Sequence, residues 1–117
     1  MGLAQTNQID HVGINRNTGN VVLSIFDELD WRDEGSHLKL LQEKFNTYLA
    51  YIETEQLYEG SPELRNKQVD IFVYARFPYS SEGEKFLGLA SQTISEAGYG
   101  FMWNYSPDEE EMEQQSN

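Results

Sequence analysis

The hydrophobic periodicity of this chain changes repeatedly between a period of two residues and a period of three to four residues. In four segments apolar residues recur at every second position, and in two others they recur at helical spacing. The alternating segments are 9–14, 21–26, 69–75 and 101–105, and the helical ones are 38–52 and 86–97. Because side chains point to opposite faces of a strand but recur on one face of a helix every three or four residues, the order ββαβαβ is predicted.

The first half of the chain is predicted to contain a β-hairpin followed by a long helix. Two strand-like runs flank the Asn- and Gly-rich turn at residues 16–20, which is typical of a hairpin. Ser36 is the expected N-cap of a helix over about residues 37–57. A polar loop is then expected over residues 58–66, where Gly60 and Pro62 end the helix.

The second half is predicted to form a strand, a helix and a last strand. The strand covers residues 67–77 and is stopped by Pro78. The sequence Ser81-Glu82-Gly83-Glu84 matches a capping box, which opens the second helix. Gly98 is a natural end for that helix, and the last strand runs over residues 99–105.

These elements predict an α+β fold, specifically a two-layer sandwich with a mixed four-stranded sheet and both helices packed on one face. Residues 9–106 are expected to form a single domain. Residues 1–8 are polar and are expected to be a flexible N-terminus, and residues 107–117 an acidic, disordered tail.

Phe72 and Tyr74 are predicted to lie on the sheet face opposite the helices, with one alternating set of residues from each other strand. An aromatic surface of this kind is unfavourable in water, so it indicates a dimer or partner surface. The alternative is that the N-terminal segment or the tail covers this face.

The chain carries a large acidic excess, with 20 Asp and Glu against 8 Lys and Arg and a net charge of -12. Five of the acids lie in the tail after Pro107, which leaves 15 acidic and 8 basic residues in the body. Such a body repels phosphate backbones and anionic bilayers, so neither a nucleic-acid nor a membrane partner is expected.

The absence of Cys excludes disulfides, thiolate metal sites and a cysteine nucleophile. The N-terminus lacks the basic and apolar regions of a secretory signal, and no apolar run approaches the length of a membrane span. Together these features are consistent with a cytoplasmic protein.

A cluster of carboxylates surrounds an aromatic residue between the second strand and the first helix, and we interpret it as a partner-binding patch. Its members are Asp27, Glu28, Asp30, Trp31, Asp33 and Glu34. An aromatic anchor ringed by charge is typical of an interface hot spot. Two alternatives stay open: carboxylates that stabilise a helix N-terminus, with Trp31 in the core, or a metal site whose spacing does not match a calcium loop.

No catalytic residue, cofactor or metal is predicted, and the chain is not expected to be an enzyme. Asp10 and His11 are neighbours in a strand and point to opposite faces, and His37 is expected to be exposed in the first helical turn. No glycine pattern matches a phosphate loop or a dinucleotide fingerprint. An enzyme would need a cleft that holds a carboxylate of strongly raised pKa, or a bound metal.

Two stretches resemble a small bacterial family known only as domain of unknown function 6572. The first runs from Ile9-Asp10-His11-Val12-Gly13-Ile14 to Asp30-Trp31, and the second from His37-Leu38 to Ile52-Glu53. The resemblance covers about residues 9–105, agrees with the predicted order of elements and implies no activity. Compact bacterial families of this kind often occur beside toxin genes as immunity proteins, which is an argument by association.

The leading hypothesis is therefore a non-enzymatic acidic protein that binds a basic partner, specifically an immunity protein that neutralises a cognate toxin, with a nuclease as the candidate class of toxin. Nucleases keep a cationic groove for their substrate, and carboxylates can steer association toward it. The alternative hypothesis is a structural or regulatory module that forms a homodimer through its aromatic sheet face.

Overall fold

The computed structural model describes residues 2–105, so the predicted acidic tail lies outside the described residues. A 3₁₀ turn at Pro62–Leu64 accompanies the regular elements. These elements are β1 (His11–Ile14), β2 (Val21–Asp27), α1 (Glu34–Glu53), α2 (Gln56–Gly60), β3 (Val69–Ala75), α3 (Ser81–Glu96) and β4 (Gly100–Tyr105).

The strands form one mixed sheet in the spatial order β1-β2-β3-β4. β1 pairs antiparallel with β2, because the turn between them is short. β2 and β3 are parallel, as are β3 and β4, and each parallel connection contains a long helix. This arrangement confirms the predicted α+β fold and its mixed four-stranded sheet.

Both long helices pack on one face of the sheet, as predicted. Alternate residues of β2 and β3 point toward them and are almost fully buried, whereas the intervening residues point away. Phe45 of α1 joins the two helices and the sheet, since its ring lies 5.9 Å from Phe86 of α3 and 5.4 Å from Phe101 of β4. The buried strand residues are Val21, Leu23, Ile25, Val69, Ile71, Val73 and Ala75.

Helix α1 begins at Glu34, three residues before the predicted start, and the assignment of Ser36 as its N-cap is wrong. Asp33 is the N-cap, because its carboxylate accepts hydrogen bonds from the backbone N–H of Ser36 at 3.2 Å and from its hydroxyl at 2.9 Å. These bonds, the hydroxyl first, lower the pKa of Asp33. Asp33 is thus the carboxylate that stabilises the N-terminus of α1, which is one of the alternatives left open for the acidic cluster.

The end of α1 and the segment after it also differ from the prediction. The helix ends at Glu53 and not at residue 57, because Glu55 adopts a left-handed conformation with φ of 67°. The polar loop expected over residues 58–66 is instead made of α2 and the 3₁₀ turn. Leu57 and Leu64 are buried in the core from these short elements, so two isolated apolar residues decide the path of a polar segment.

Helix α3 begins at Ser81, one residue before the start implied by a capping box, and its N-cap is Ser80 and not Ser81. The hydroxyl oxygen of Ser80 accepts a hydrogen bond from the N–H of Gly83 at 3.0 Å. Gly98 follows the C-cap Ala97 with φ of 97°, a left-handed conformation that glycine adopts without steric cost.

The N-terminal segment, for which the polar composition predicts flexibility, is packed against α1 from residue 2 onward. Leu3 is fully buried in the core. The buried ammonium of Lys44 contacts the carbonyl oxygens of Gly2 (3.0 Å), Gln5 (2.8 Å) and Gln8 (2.9 Å). It also pairs with the carboxylate of Asp10 at 2.8 Å, and both side chains are excluded from solvent.

Substitution of Lys44 by Met should destabilise the fold strongly, since it leaves the Asp10 carboxylate and the carbonyl oxygens buried without their donor. Removing one partner of a buried ion pair typically costs about 3–5 kcal/mol. The free energy of unfolding measured in urea checks this value. Lys39→Met is the matched control on the exposed side of α1, and it should change stability by no more than about 0.5 kcal/mol. A loss for Lys44→Met as small as that of the control would contradict the assignment.

Candidate functional site

The predicted acidic patch lies at the carboxyl end of β2, where the chain enters the segment of residues 28–33, here called the β2–α1 loop. The carboxyl end of β3 and the N-termini of α1 and α3 lie at the same end of the sheet, because the strands are parallel and the helices return between them. The loop therefore contacts both long helices.

Asp27 and His37 form a buried pair beneath this loop. Nε2 of His37 lies 2.6 Å from Oδ2 of Asp27, and the two side chains are almost completely excluded from solvent. The second carboxylate oxygen of Asp27 accepts the backbone N–H of Leu29 at 3.1 Å. Nδ1 of His37 lies 2.9 Å from the backbone oxygen of Asp30. The expectation that His37 is an exposed polar residue is therefore wrong.

The surroundings of His37 favour its protonated form on balance. Burial acts to lower its pKa, but the hydrogen bond to Asp27 and the charge of that carboxylate oppose burial. The backbone oxygen and the carboxylate of Asp30 act in the same direction, and the net effect is a raised pKa. A raised pKa also holds for Tyr79, where burial is the main cause and the charge of Asp27 adds to it.

Trp31 covers the Asp27–His37 pair. Its ring stacks on the imidazole of His37 with 3.7 Å between ring centroids and 16° between planes, and it lies 6.3 Å from the ring of Tyr79. Its indole N–H is buried and has no hydrogen-bond partner among the described residues. The other edge of the ring lies against Gly83, where an added Cβ would come within 2.6 Å of the indole. Trp31 is thus a packing residue between α1 and α3.

The residues proposed as the acidic patch do not form one exposed surface. Asp27 is buried against His37, and the carboxylate of Glu28 accepts the N–H of Leu3 at 3.1 Å. Asp33 caps α1, and Asp30 forms a partly exposed ion pair with Arg32 at 3.2 Å. Glu34 is partly exposed in the first turn of α1. Among the carboxylates of this patch, those accessible to a partner are therefore confined to the outer part of the loop and the start of α1.

A second surface is the sheet face that points away from the helices, here called the open face. Strand register places Phe72 in its central row, between Ser24 of β2 and Met102 of β4. The rings of Phe72 and Tyr74 stack with 4.3 Å between centroids, and Tyr74 lies 5.9 Å from Phe26. These rings are partly exposed, and 47% of Met102 is accessible.

The packing of the N-terminal segment excludes one of the two segments that could cover the open face. Residues 2–8 contact Lys44 and Thr47 of α1, on the helix side of the sheet. They therefore do not cover Phe72 and Tyr74. The other proposed cover, the acidic tail, lies outside the described residues.

A groove of about 390 Å³ lies between α1 and α3. Its lining contains no ionisable side chain, and none of the residues of the acidic patch contributes to it. The residues around it are Gln42, Phe45, Asn46, Leu49, Phe86, Leu89, Ala90, Thr93 and Ile94.

The described residues contain neither a set of side chains that could bind a metal nor a helix that could span a membrane. Between residues 2 and 105, no three His, Asp or Glu side chains converge as a set that could hold a metal ion. Within the same range, no helix combines the length and apolar character needed to cross a bilayer.

The features that sequence reasoning missed at this site are the burial of His37 and the contact between Trp31 and Gly83. Both depend on the path of the β2–α1 loop, which no periodicity encodes. A local signal existed only for the cap, since an Asp three residues before a Ser at the start of an apolar stripe fits an N-cap as well as Ser36 does.

Gly83→Ala and Gly88→Ala form a matched pair of substitutions in α3 that test the packing of Trp31. At Gly83 a Cβ would clash with the indole, so we expect destabilisation of about 1–3 kcal/mol by overpacking and a changed Trp emission. At Gly88 a Cβ meets open space, so Ala should stabilise the helix by about 0.5–1 kcal/mol. Urea unfolding followed by fluorescence measures both, and equal effects of the two substitutions would refute the contact.

The comparisons with known proteins agree with the sequence resemblance. No curated protein and no solved structure matches the chain. One family model matches residues 1–107, and its description is "Family of unknown function (DUF6572)". Because this match includes all of the described residues and most of the chain, the chain belongs to this family of unknown function, DUF6572.

Proposed function

We propose that this chain is an acidic, non-enzymatic protein that binds a basic protein partner on the open face of its sheet. The observation that carries the proposal is the stacked Phe72–Tyr74 pair in the middle of a face that no described element covers. The specific form of the proposal is an immunity protein that neutralises a cognate basic toxin, with a nuclease as the candidate class of toxin.

The open face has the composition of an interface centre. Aromatic residues and Met are enriched at protein interfaces, and binding energy concentrates in a few central aromatic side chains. Phe72 and Tyr74 are already stacked on each other in adjacent rows of a regular strand. Little side-chain freedom would therefore be lost when a partner binds them, which favours affinity.

The charge of the chain argues for a basic partner. Its net charge is -12, and such a surplus accelerates association with a cationic surface at low ionic strength. Asp70 lies on the open face one row from Phe72, and its carboxylate accepts a hydrogen bond from the amide of Asn20 at 3.0 Å. The β2–α1 loop leaves the sheet directly after Asp27, at the end of the open face marked by Phe26 and Tyr74.

The open face and the β2–α1 loop can therefore act together in one interface. The aromatic residues of the open face would provide most of the affinity, while the accessible carboxylates of Asp30, Asp33 and Glu34 would steer the partner toward it. Charges at the margin of an interface change the association rate more than the affinity. Asp27 and Glu28, which are engaged inside the fold, would hold the loop that carries these carboxylates.

The test is binding to the protein encoded beside this chain in its genome, co-expressed and then measured with purified components at low salt. Phe72→Ala should weaken binding by about thirtyfold, equivalent to about 2 kcal/mol. Leu89→Ala removes a residue that is 67% exposed on α3, on the opposite side of the molecule, and should leave binding unchanged. Circular dichroism confirms that both variants fold.

Absence of binding to that protein at low salt would reject the immunity form of the proposal. Equal loss of binding in Phe72→Ala and Leu89→Ala would reject the open face as the binding surface. Glu34→Gln should lower the association rate and its dependence on salt, with a smaller effect on dissociation.

The uncovered aromatic face also favours a second candidate, a homodimer joined through Phe72 and Tyr74. The two candidates respond to salt in opposite directions. Salt should weaken binding to a basic partner, whereas it should strengthen association between two copies that each carry a charge of -12. Sedimentation at low and high salt distinguishes them, and Phe72→Asp or Tyr74→Asp should give a monomer if the homodimer exists.

A further inference from the structure

We propose that the imidazolium of His37 is a proton-dependent latch: it holds the β2–α1 loop against the sheet, and loss of one proton from its ring releases the loop. This inference concerns the state of the loop and does not depend on the proposed binding function.

When Asp27 is ionised, the hydrogen bonds at His37 require two protons on one ring. The backbone oxygen of Asp30, 2.9 Å from Nδ1, can only accept a hydrogen bond, so Nδ1 must carry a proton. The carboxylate of Asp27, 2.6 Å from Nε2, also accepts when it is ionised, so Nε2 must carry a second proton. A neutral imidazole has one N–H and can satisfy only one of these acceptors.

The groups around the ring come from three parts of the chain and act in both directions. Burial and the N-terminus of α1 disfavour a cation at this position. The carboxylates of Asp27 and Asp30 favour it and together raise the pKa of His37. The indole of Trp31, stacked on the ring, adds a favourable interaction with a cation. Tyr79, before α3, has a raised pKa and stays an uncharged phenol near neutral pH.

The contacts of His37 fix two consecutive residues of the loop, the backbone oxygen of Asp30 and the ring of Trp31. The same loop contains Glu28, which accepts the N–H of Leu3. Release of the loop would therefore also weaken the attachment of the N-terminal segment.

Deprotonation of His37 removes one of the two hydrogen bonds that hold the loop closed. A neutral ring leaves either Oδ2 of the buried Asp27 carboxylate or the backbone oxygen of Asp30 without the hydrogen bond from His37, which is costly. Opening of the loop lets water reach these groups. Because the pKa of His37 is raised in the closed form, the closed form is fully stabilised below about pH 6.5, the usual value for imidazole. This stabilisation is lost as the pH rises through the raised pKa.

Two measurements on the full chain test the latch. In a His11→Gln background the remaining imidazole is that of His37, and its NMR titration gives the pKa of the closed form. Limited trypsin digestion then compares initial cleavage after Arg32, in the loop, with cleavage after Arg65, an exposed Arg outside the loop. The ratio of the two rates cancels the pH dependence of trypsin itself.

The latch predicts a quantitative relation between the two measurements. The cleavage ratio should rise by up to about tenfold per pH unit from about pH 6.5 to the measured pKa of His37, and then become constant. Asp27→Asn removes the paired charge, so the pKa of His37 should fall and the ratio should already be high near pH 6.

A titration of His37 at or below about pH 6.5 would overturn the proposal. A cleavage ratio that stays constant while His37 titrates would overturn it as well, because the ring would then lose its proton without releasing the loop. Both of these results can be obtained with Asp27 intact, so the test does not depend on the folding of Asp27→Asn.

Discussion

Two buried pairs of side chains, His37 with Asp27 and Lys44 with Asp10, fix the position of α1 on the sheet. His37 and Lys44 are separated by two helical turns, so they lie on the same face of α1 and point inward together. His37 meets Asp27 at the end of β2, and Lys44 meets Asp10 just before β1. A buried charge is tolerated only with its partner in place, so each pair excludes other positions of the helix. The pairs also bind the β2–α1 loop and the N-terminal segment to the core.

The same pairs explain why the acidic surplus of the chain is less available than its composition indicates. Asp10 is paired with the buried Lys44 and Asp27 with the buried His37. Glu28 accepts a backbone hydrogen bond from the N-terminal segment. These carboxylates are part of the fold. What a partner would meet is the aromatic open face, with accessible carboxylates at one end of it. This separation of structural from accessible charge underlies the division between affinity and steering in the proposed interface.

The order of elements and the two sides of the sheet could be predicted because both follow from local patterns. The alternation in β3 places Phe72 and Tyr74 on one side and Val73 on the other, whatever the neighbouring strands are. Helix ends were less predictable, since Ser36 and Asp33 both suit an N-cap and only the direction of the chain into α1 selects Asp33. The segment after α1 was missed for a related reason: single apolar residues such as Leu57 have no periodicity.

The sequence by itself therefore determined the α+β class, the order of the strands and the two long helices, and the aromatic character of one sheet face, because side-chain alternation and helical spacing act over a few residues. Only the tertiary structure decided that His37 and Lys44 are buried against carboxylates and that the N-terminal segment is packed against α1. Their partners lie 7 to 42 residues away along the chain. Such pairings depend on how complete elements pack, and no local pattern distinguishes a buried Lys or His from an exposed one.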